Sequence, residues 1–373
     1  MKKIDIKKLV KPSINQIAKY IPGESSIEGK TNIIKLSSNE SPFSIPEKVL
    51  ESINSSNIQV NLYPDGDSNF LKKTLSKVFN LNINQIICGN GSDDILSIIA
   101  QTFCREEDEV ICSEYGFIYY PIIAKTSGAK VVIAKSKNLK ISCENILKKI
   151  TKKTKIIFFA NPNNPTGSII FSEELTNFLS QIPKNVFVVL DGAYSEFIVD
   201  KRYSDGTNLV NKFSNLIVTR TFSKIYALAG LRLGWAYASK NVINLLEKIR
   251  GPFNVNLYAQ KIGASILNEK EFIKKSINHN LKWQEKLPGI IKKIGLDASP
   301  TYANFVLVKV DKKKFSKKKI IKELLFQKII VRDLSSYGLN DFFRVSIGSD
   351  DQLEIFIKSL RKILNKDKDE KKN

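Results

Sequence analysis

Thr221, Ser223, Lys224 and Arg232 fall in one short window of the chain, and their types carry more chemistry than any other cluster in it. Two hydroxyls and a guanidinium make a cradle suited to a phosphate dianion, because arginine presents a planar fork of donors. A lysine beside such a cradle is placed for Schiff-base chemistry with an aldehyde that carries a phosphate. Pyridoxal 5′-phosphate (PLP) meets that description. In a chain with 59 Lys and Arg residues a single lysine is weak testimony, so the case rests on its company.

Asp191 follows the apolar run Val186–Leu190 and is expected to lie deep. A buried carboxylate needs a cationic partner, and a pyridinium N–H would serve. The plainer alternative is a helix N-cap. Tyr194, three residues on, and Asn164, in the loop Asn161-Pro-Asn-Asn-Pro-Thr-Gly167, are placed to reach a ring hydroxyl. Gly89–Asp94 opens a predicted helix; its glycines let backbone approach closely, and free N–H groups at a helix start bind phosphate. A turn capped by Ser92 or Asp93 would read the same. Only eight of the 59 basic residues are Arg. Where lysine is the default, arginine points to a need for bidentate geometry, which singles out Arg232, Arg332 and Arg344. Arg332 and Arg344 end consecutive predicted strands and can grip one dianion together; the alternative is surface ion pairs with Asp333 and Asp341.

These residues need a scaffold. Apolar runs at 86–88, 109–112, 130–134, 156–160, 186–190, 216–219 and 235–238 read as strands. Helical patterns at 93–103, 172–181 and 241–248 alternate with them, which predicts a largely parallel sheet covered on both faces. A long helix at about 269–294, strands at 305–308, 329–332 and 343–347 and a helix at 352–364 predict a smaller α+β domain. The fold class is therefore α/β. The expected division is an N-terminal arm at 1–35, a large domain at 36–275, a small domain at 276–365 and a disordered charged tail at 366–373. The polar endings after residues 88, 160, 190 and 219 fall at the carboxyl ends of predicted strands, where open α/β sheets bind ligands.

Composition narrows the function. The 373 residues carry a formal net charge of +22. The lysines are scattered and lack interleaved aromatics, so an anionic small substrate is a better use of the field than nucleic acid. Four cysteines without metal or redox spacing predict a reducing, cytoplasmic setting. The first residues lack an apolar signal core and no run is long enough to span a membrane. The single histidine, His279, is expected at the surface, and no metal cluster is expected.

The set Asn164-Pro-Thr-Gly167, Asp191 with Tyr194, and Ser223-Lys224 with Arg232 resembles the class I and II aminotransferases, PLP enzymes of fold-type I. Further pieces are Tyr20-Ile-Pro-Gly23, Leu36-Ser-Ser-Asn-Glu-Ser-Pro42, Tyr63-Pro-Asp65, Gly89-Asn-Gly-Ser-Asp93, Pro252-Phe-Asn-Val-Asn256, Val331-Arg-Asp333 and Arg344-Val-Ser-Ile-Gly348. They run in order over nearly the whole chain and are similar in detail to the histidinol-phosphate aminotransferase subfamily. The resemblance implies transamination between L-histidinol phosphate and 2-oxoglutarate in histidine biosynthesis. It implies that Lys224 is the Schiff-base lysine and moves a proton. It places Asp191 at the pyridine nitrogen, Tyr194 and Asn164 at the ring oxygen and Tyr115 stacked on the ring. It puts Thr221, Ser223, Arg232, Ser92 and Asp93 around the phosphate, with Tyr63 arriving from the second subunit of a homodimer. Arg344 and Arg332 would hold the acidic end of the substrate, and Asn39 and Tyr20 would line its pocket. An aromatic amino acid aminotransferase and a threonine-phosphate-type decarboxylase are the alternatives. Gly192, Glu114 and Ala227 depart from the family pattern.

Overall fold

The computed structural model describes residues 7, 9–21, 23–54 and 59–370. Its strands, in chain order, are β1 (Ile34–Leu36), β2 (Ile86–Gly89), β3 (Glu109–Ser113), β4 (Lys130–Ala134), β5 (Thr154–Ala160) and β6 (Phe187–Asp191). They continue with β7 (Leu216–Thr221), β8 (Gly234–Tyr237), β9 (Asp297–Ala298), β10 (Phe305–Lys309), β11 (Ile329–Asp333) and β12 (Phe342–Ser346).

Seven strands form one sheet in the order β2-β8-β7-β6-β5-β3-β4, and five form a second in the order β1-β11-β12-β10-β9. In the large sheet β3 to β7 pair in parallel, and β8 runs antiparallel to both β2 and β7. The strands between helices were expected from their apolar runs. Burial on both faces explains why the runs are continuous. Ile157, Phe159, Val188, Leu190, Leu216 and Val218 enter one core, while Ile156, Phe158, Val189 and Ile217 enter the core on the opposite face. Side chains alternate across a strand, so a sheet covered on both sides needs apolar residues at every position. Each fully buried Phe or Ile contributes about 1.5–3 kcal/mol.

The second sheet carries its own core, including Leu36, Trp283, Leu287, Val306, Phe343 and Phe356. Two of the expected boundaries shift. β1 pairs in parallel with β11, so residues 34–36 belong to the small sheet and the arm does not stop at 35. The helix Lys270–Lys293 places Phe272 in the large core and Trp283, Leu287 and Ile291 in the small one. It bridges both, and a cut at 275/276 falls inside it. The tail also differs: the helix Asp350–Glu370 continues past 366. Leu353, Phe356, Leu360, Ile363 and Leu364 recur at helical spacing and seat it on the small core, and the charged residues that follow suit a helix. Residues 371–373 lie outside the described part. Among the described residues no helix is long and apolar enough to cross a membrane.

The large sheet changes winding direction between β3 and β5, because β4 extends it one way from β3 and β6 the other. Ligands of open α/β sheets bind beyond the carboxyl ends of strands near such a point.

Candidate active site

A cavity of about 340 Å³ lies beyond the carboxyl ends of β5, β6 and β7, and β11 and β12 of the small sheet also reach it. Tyr20, Asn39, Ser92, Asp93, Asn164, Asp191, Tyr194, Thr221, Ser223, Lys224, Arg232, Arg332 and Arg344 all line it. Strand register explains part of this gathering: Ala160 pairs with Asp191, Asp191 with Thr219, and Thr221 with Gly234.

One end of the cavity is built for an anion. The Thr221 hydroxyl donates to Ser223 Oγ at 3.0 Å, and Ser223 N donates back to Thr221 Oγ1 at 3.1 Å. Arg232 Nη1 lies 3.4 Å from Ser223 Oγ and Nη2 lies 3.4 Å from Asp93 Oδ2. The helix Ser92–Phe103 begins here without a side-chain cap, because its N-cap is Gly91. Its first N–H groups are thus available to a ligand rather than to its own chain. Gly91 has φ +90°, and a Cβ there would sit 2.7 Å from Arg232 Nη2. Gly234 lets β8 pass the helix start, since its Cβ would sit 2.3 Å from Ser92 N.

At the centre, Asp191 is buried at the end of β6. Its Oδ2 accepts from the Tyr120 hydroxyl at 2.8 Å, and Oδ1 accepts from Ala193 N at 3.1 Å. No cation pairs with it among the described residues, so its negative charge is left facing the cavity. Burial pushes its pKa up to about 6, and the Tyr120 bond opposes that rise. Lys224 Nζ donates to Ser38 O at 3.1 Å. Burial, then the Arg344 charge, push its pKa down to about 8. A depressed lysine is neutral often enough near neutral pH to act as nucleophile or base. Tyr194 OH accepts from Asn39 Nδ2 at 2.9 Å.

The far wall holds two buried guanidiniums. Arg332 and Arg344 are direct register partners across β11 and β12, so both side chains leave the same face. Arg344 donates through Nη1 to Asn164 Oδ1 and through Nη2 to Ser37 O at 2.8 Å. Its Nε has no hydrogen-bond partner among the described residues. Arg332 Nη2 donates to Ile21 O at 3.1 Å. Neither has a carboxylate partner among the described residues. The surface ion pairs considered from sequence do not form: Asp333 takes Lys317 at 2.7 Å instead. Two unneutralised buried arginines side by side make an anion site.

One expected residue lies elsewhere. Tyr115 turns away from this cavity to pack with Tyr337 and Leu334 and lines an adjoining apolar one. Its positive φ of 53° redirects the side chain; Phe117 supplies an aromatic wall to the central cavity instead. Tyr63 is 82% exposed and stacks on Phe253 at 4.6 Å, away from the cavity of its own chain. His279 is partly buried rather than at the surface, with Nε2 2.8 Å from Gly348 O and its ring edge-on to Phe43.

Sequence reasoning missed Tyr120, which has no motif around it. It also missed Arg220, a buried residue of β7 that pairs with Glu196 at 3.0 Å and Asp205 at 2.5 Å. The rarity of arginine was the signal for Arg220.

The sequence profile described as aminotransferase class I and II matches residues 31–360. The chain belongs to the class I and II aminotransferases. The histidinol-phosphate aminotransferase of Pelagibacter ubique is 40% identical over 351 residues, which is 94% of this chain and 98% of that one. Among solved structures, the histidinol-phosphate aminotransferase of Clostridium acetobutylicum superimposes with a TM-score of 0.82 at 26% identity, covering 89% of this chain and 99% of that one. That of Sinorhizobium meliloti, solved with pyridoxal-5′-phosphate, has a TM-score of 0.83 at 24% identity and covers 89% and 91% of the two chains.

The departures of this aminotransferase from the family pattern have local reasons. A Cβ at Gly192 would sit 2.5 Å from Ser195 Oγ and 2.9 Å from Arg220 Cδ, so Arg220 closes that position. Glu114 ties the end of β3 to the end of β4 by accepting from Lys135 at 2.7 Å and Ser136 N at 2.9 Å. Ala227 sits at φ 56°, a conformation that glycine would adopt without strain.

Proposed function

We propose that this aminotransferase uses PLP to exchange an amino group between L-histidinol phosphate and 2-oxoglutarate, in histidine biosynthesis. The observation that carries the substrate reading is the pair Arg332 and Arg344, buried together over the cavity with no carboxylate partner among the described residues. The cofactor fits the residues present. The uncompensated Asp191 suits a protonated ring nitrogen, and the cradle of Thr221, Ser223, Arg232 and the uncapped helix start suits a phosphate. Gly91 keeps that cradle open, since a Cβ would crowd Arg232.

PLP, when bound, supplies an aldehyde that captures the substrate amine and a ring that accepts electrons from its Cα. The chain does the rest. Lys224 Nζ, neutral above about pH 8, takes the proton from the substrate Cα and returns it two atoms away, on the carbon beyond the amine nitrogen. Asp191 holds the ring nitrogen protonated. Tyr194, oriented by Asn39, and Asn164 hold the ring oxygen. Arg344 and Arg332 grip the phosphate of histidinol phosphate and, in the other half-reaction, the distal carboxylate of glutamate. Tyr20 and Asn39 close the substrate side.

The working unit is a cytoplasmic homodimer in which Tyr63 completes the phosphate site of the partner subunit. Support comes from exposed apolar residues on one stretch of chain, Val60, Leu62, Tyr63 and Phe70, together with Phe253 against Tyr63. The large and small domains, with the connecting helix shared between their cores, would close on the substrate.

The test is to mix purified, PLP-loaded protein with L-histidinol phosphate in a single turnover and follow the cofactor spectrum. Conversion to the amine form, reversed by 2-oxoglutarate, is the expected result. Conversion by aromatic amino acids but not by histidinol phosphate would replace the substrate assignment. Release of CO2 from a phosphorylated amino acid would replace the reaction.

A further inference from the structure

Asp191 faces the cavity, but what holds it reaches in from behind. Tyr120 lies at the start of the helix Tyr119–Thr126 and is fully buried. Its ring stacks on Phe158 of β5 at 5.4 Å and 12°. Phe117 meets it edge-on at 5.7 Å and 89°. Packed from two sides, the ring has one place to be, and that place puts its hydroxyl 2.8 Å from Asp191 Oδ2. Ala193 N takes the other oxygen at 3.1 Å, so the plane of the carboxylate is set at both ends. Burial keeps the phenol far above its ordinary pKa, so it stays a donor. The other titratable neighbours are Asp93, from the helix Ser92–Phe103, and Tyr194, beyond β6. Asp93 disfavours charge on Asp191, and Asp191 in turn raises the pKa of Tyr194.

We propose that Tyr120 is a positioning residue that keeps the Asp191 carboxylate ionised and aimed so that it can hold a protonated ring nitrogen. This rests on the role given above to Asp191. A hydrogen bond donated to a carboxylate favours its charged form, and a buried carboxylate that loses a donor drifts toward the neutral acid. A neutral Asp191 would lose the charge–charge part of its preference for a ring N–H⁺ over a ring C–H.

That distinction is the measurement. Dissociation constants of PLP and of its 1-deaza analogue, in which C–H replaces the ring nitrogen, are compared in apoprotein at one pH. The wild type should prefer PLP. Tyr120→Phe keeps the ring and its stacking and removes only the hydroxyl. It should narrow the preference by roughly tenfold, equivalent to about 1.4 kcal/mol, while leaving the analogue's affinity almost unchanged. In turnover the acid limb of the kcat profile should move to higher pH, because the Asp191 pKa rises when its donor is lost, with KM for glutamate little altered. Equal weakening of both ligands would mark a structural role and overturn the proposal. Asp191→Asn calibrates the scale and should abolish the preference. If the wild type itself shows none, the reading of Asp191 fails first and Tyr120 falls with it, whereas a wild-type preference that survives Tyr120→Phe refutes Tyr120 alone.

Discussion

Replacing Arg332 by Gln separates substrate recognition from stability. In the structure Arg332 commits one donor, Nη2 to Ile21 O at 3.1 Å, which leaves Nε and Nη1 for a ligand. Arg344 has already committed both terminal nitrogens, to Asn164 and to Ser37 O. Arg332 therefore supplies most of the spare donors for a dianion. Two charge-assisted bonds at about 1.5–3 kcal/mol each set an upper bound of about 3–6 kcal/mol, and the displaced water removes part of it. A loss of about 3 kcal/mol corresponds to a fall of roughly 10²-fold in kcat/KM for histidinol phosphate. Glutamate brings a monoanionic carboxylate that needs fewer of these donors than a dianion, so its kcat/KM should fall by about tenfold or less. Stability should move the other way. Arg332 and Arg344 are directly opposed like charges on adjacent strands, and such pairs destabilise by about 0.2–1 kcal/mol. The variant should thus melt no lower than the wild type. The assays are steady-state kinetics with both donors and urea unfolding of the same preparations. Equal losses on the two donors, or a protein destabilised by more than about 1 kcal/mol, would refute the reasoning.

Three further outcomes are expected. In apoprotein, the rate of PLP loading should rise with pH through a midpoint near 8 and then level off, because Lys224 is depressed to about 8 and reacts as the free amine; a midpoint above 10 would contradict this, and Lys224→Ala should neither turn over nor retain PLP after borohydride reduction. Arg220→Met should leave Glu196 and Asp205 without their shared buried cation and cost about 3–5 kcal/mol in denaturant unfolding; a loss below 1 kcal/mol would show that water replaces it. Tyr63→Ala should weaken PLP retention while Lys224 chemistry remains; a mixture of Tyr63→Ala and Lys224→Ala chains should form some dimers with one intact site, and failure to recover activity would argue against a shared site.

Much of this site was legible along the chain because its chemistry is local. Ser223-Lys224 with Arg232, the Asn161–Gly167 loop and the Gly89–Asp94 helix start each occupy a few consecutive residues, and loop geometry over such short spans follows from residue type. The strands were legible because two-sided burial demands unbroken apolar runs, as in Ile156–Ala160 and Val186–Leu190. Tertiary structure alone decided three things. It brought Tyr120 to Asp191 across a packed aromatic cluster, a contact that depends on where one helix docks and leaves no trace in spacing. It set Arg332 opposite Arg344 with no carboxylate partner among the described residues, since partner choice is a matter of three-dimensional reach and Asp333 goes to Lys317. It turned Tyr115 out of the cavity and Phe117 into it, because one left-handed residue reverses which side of a loop faces inward, and neither aromatic announces its φ.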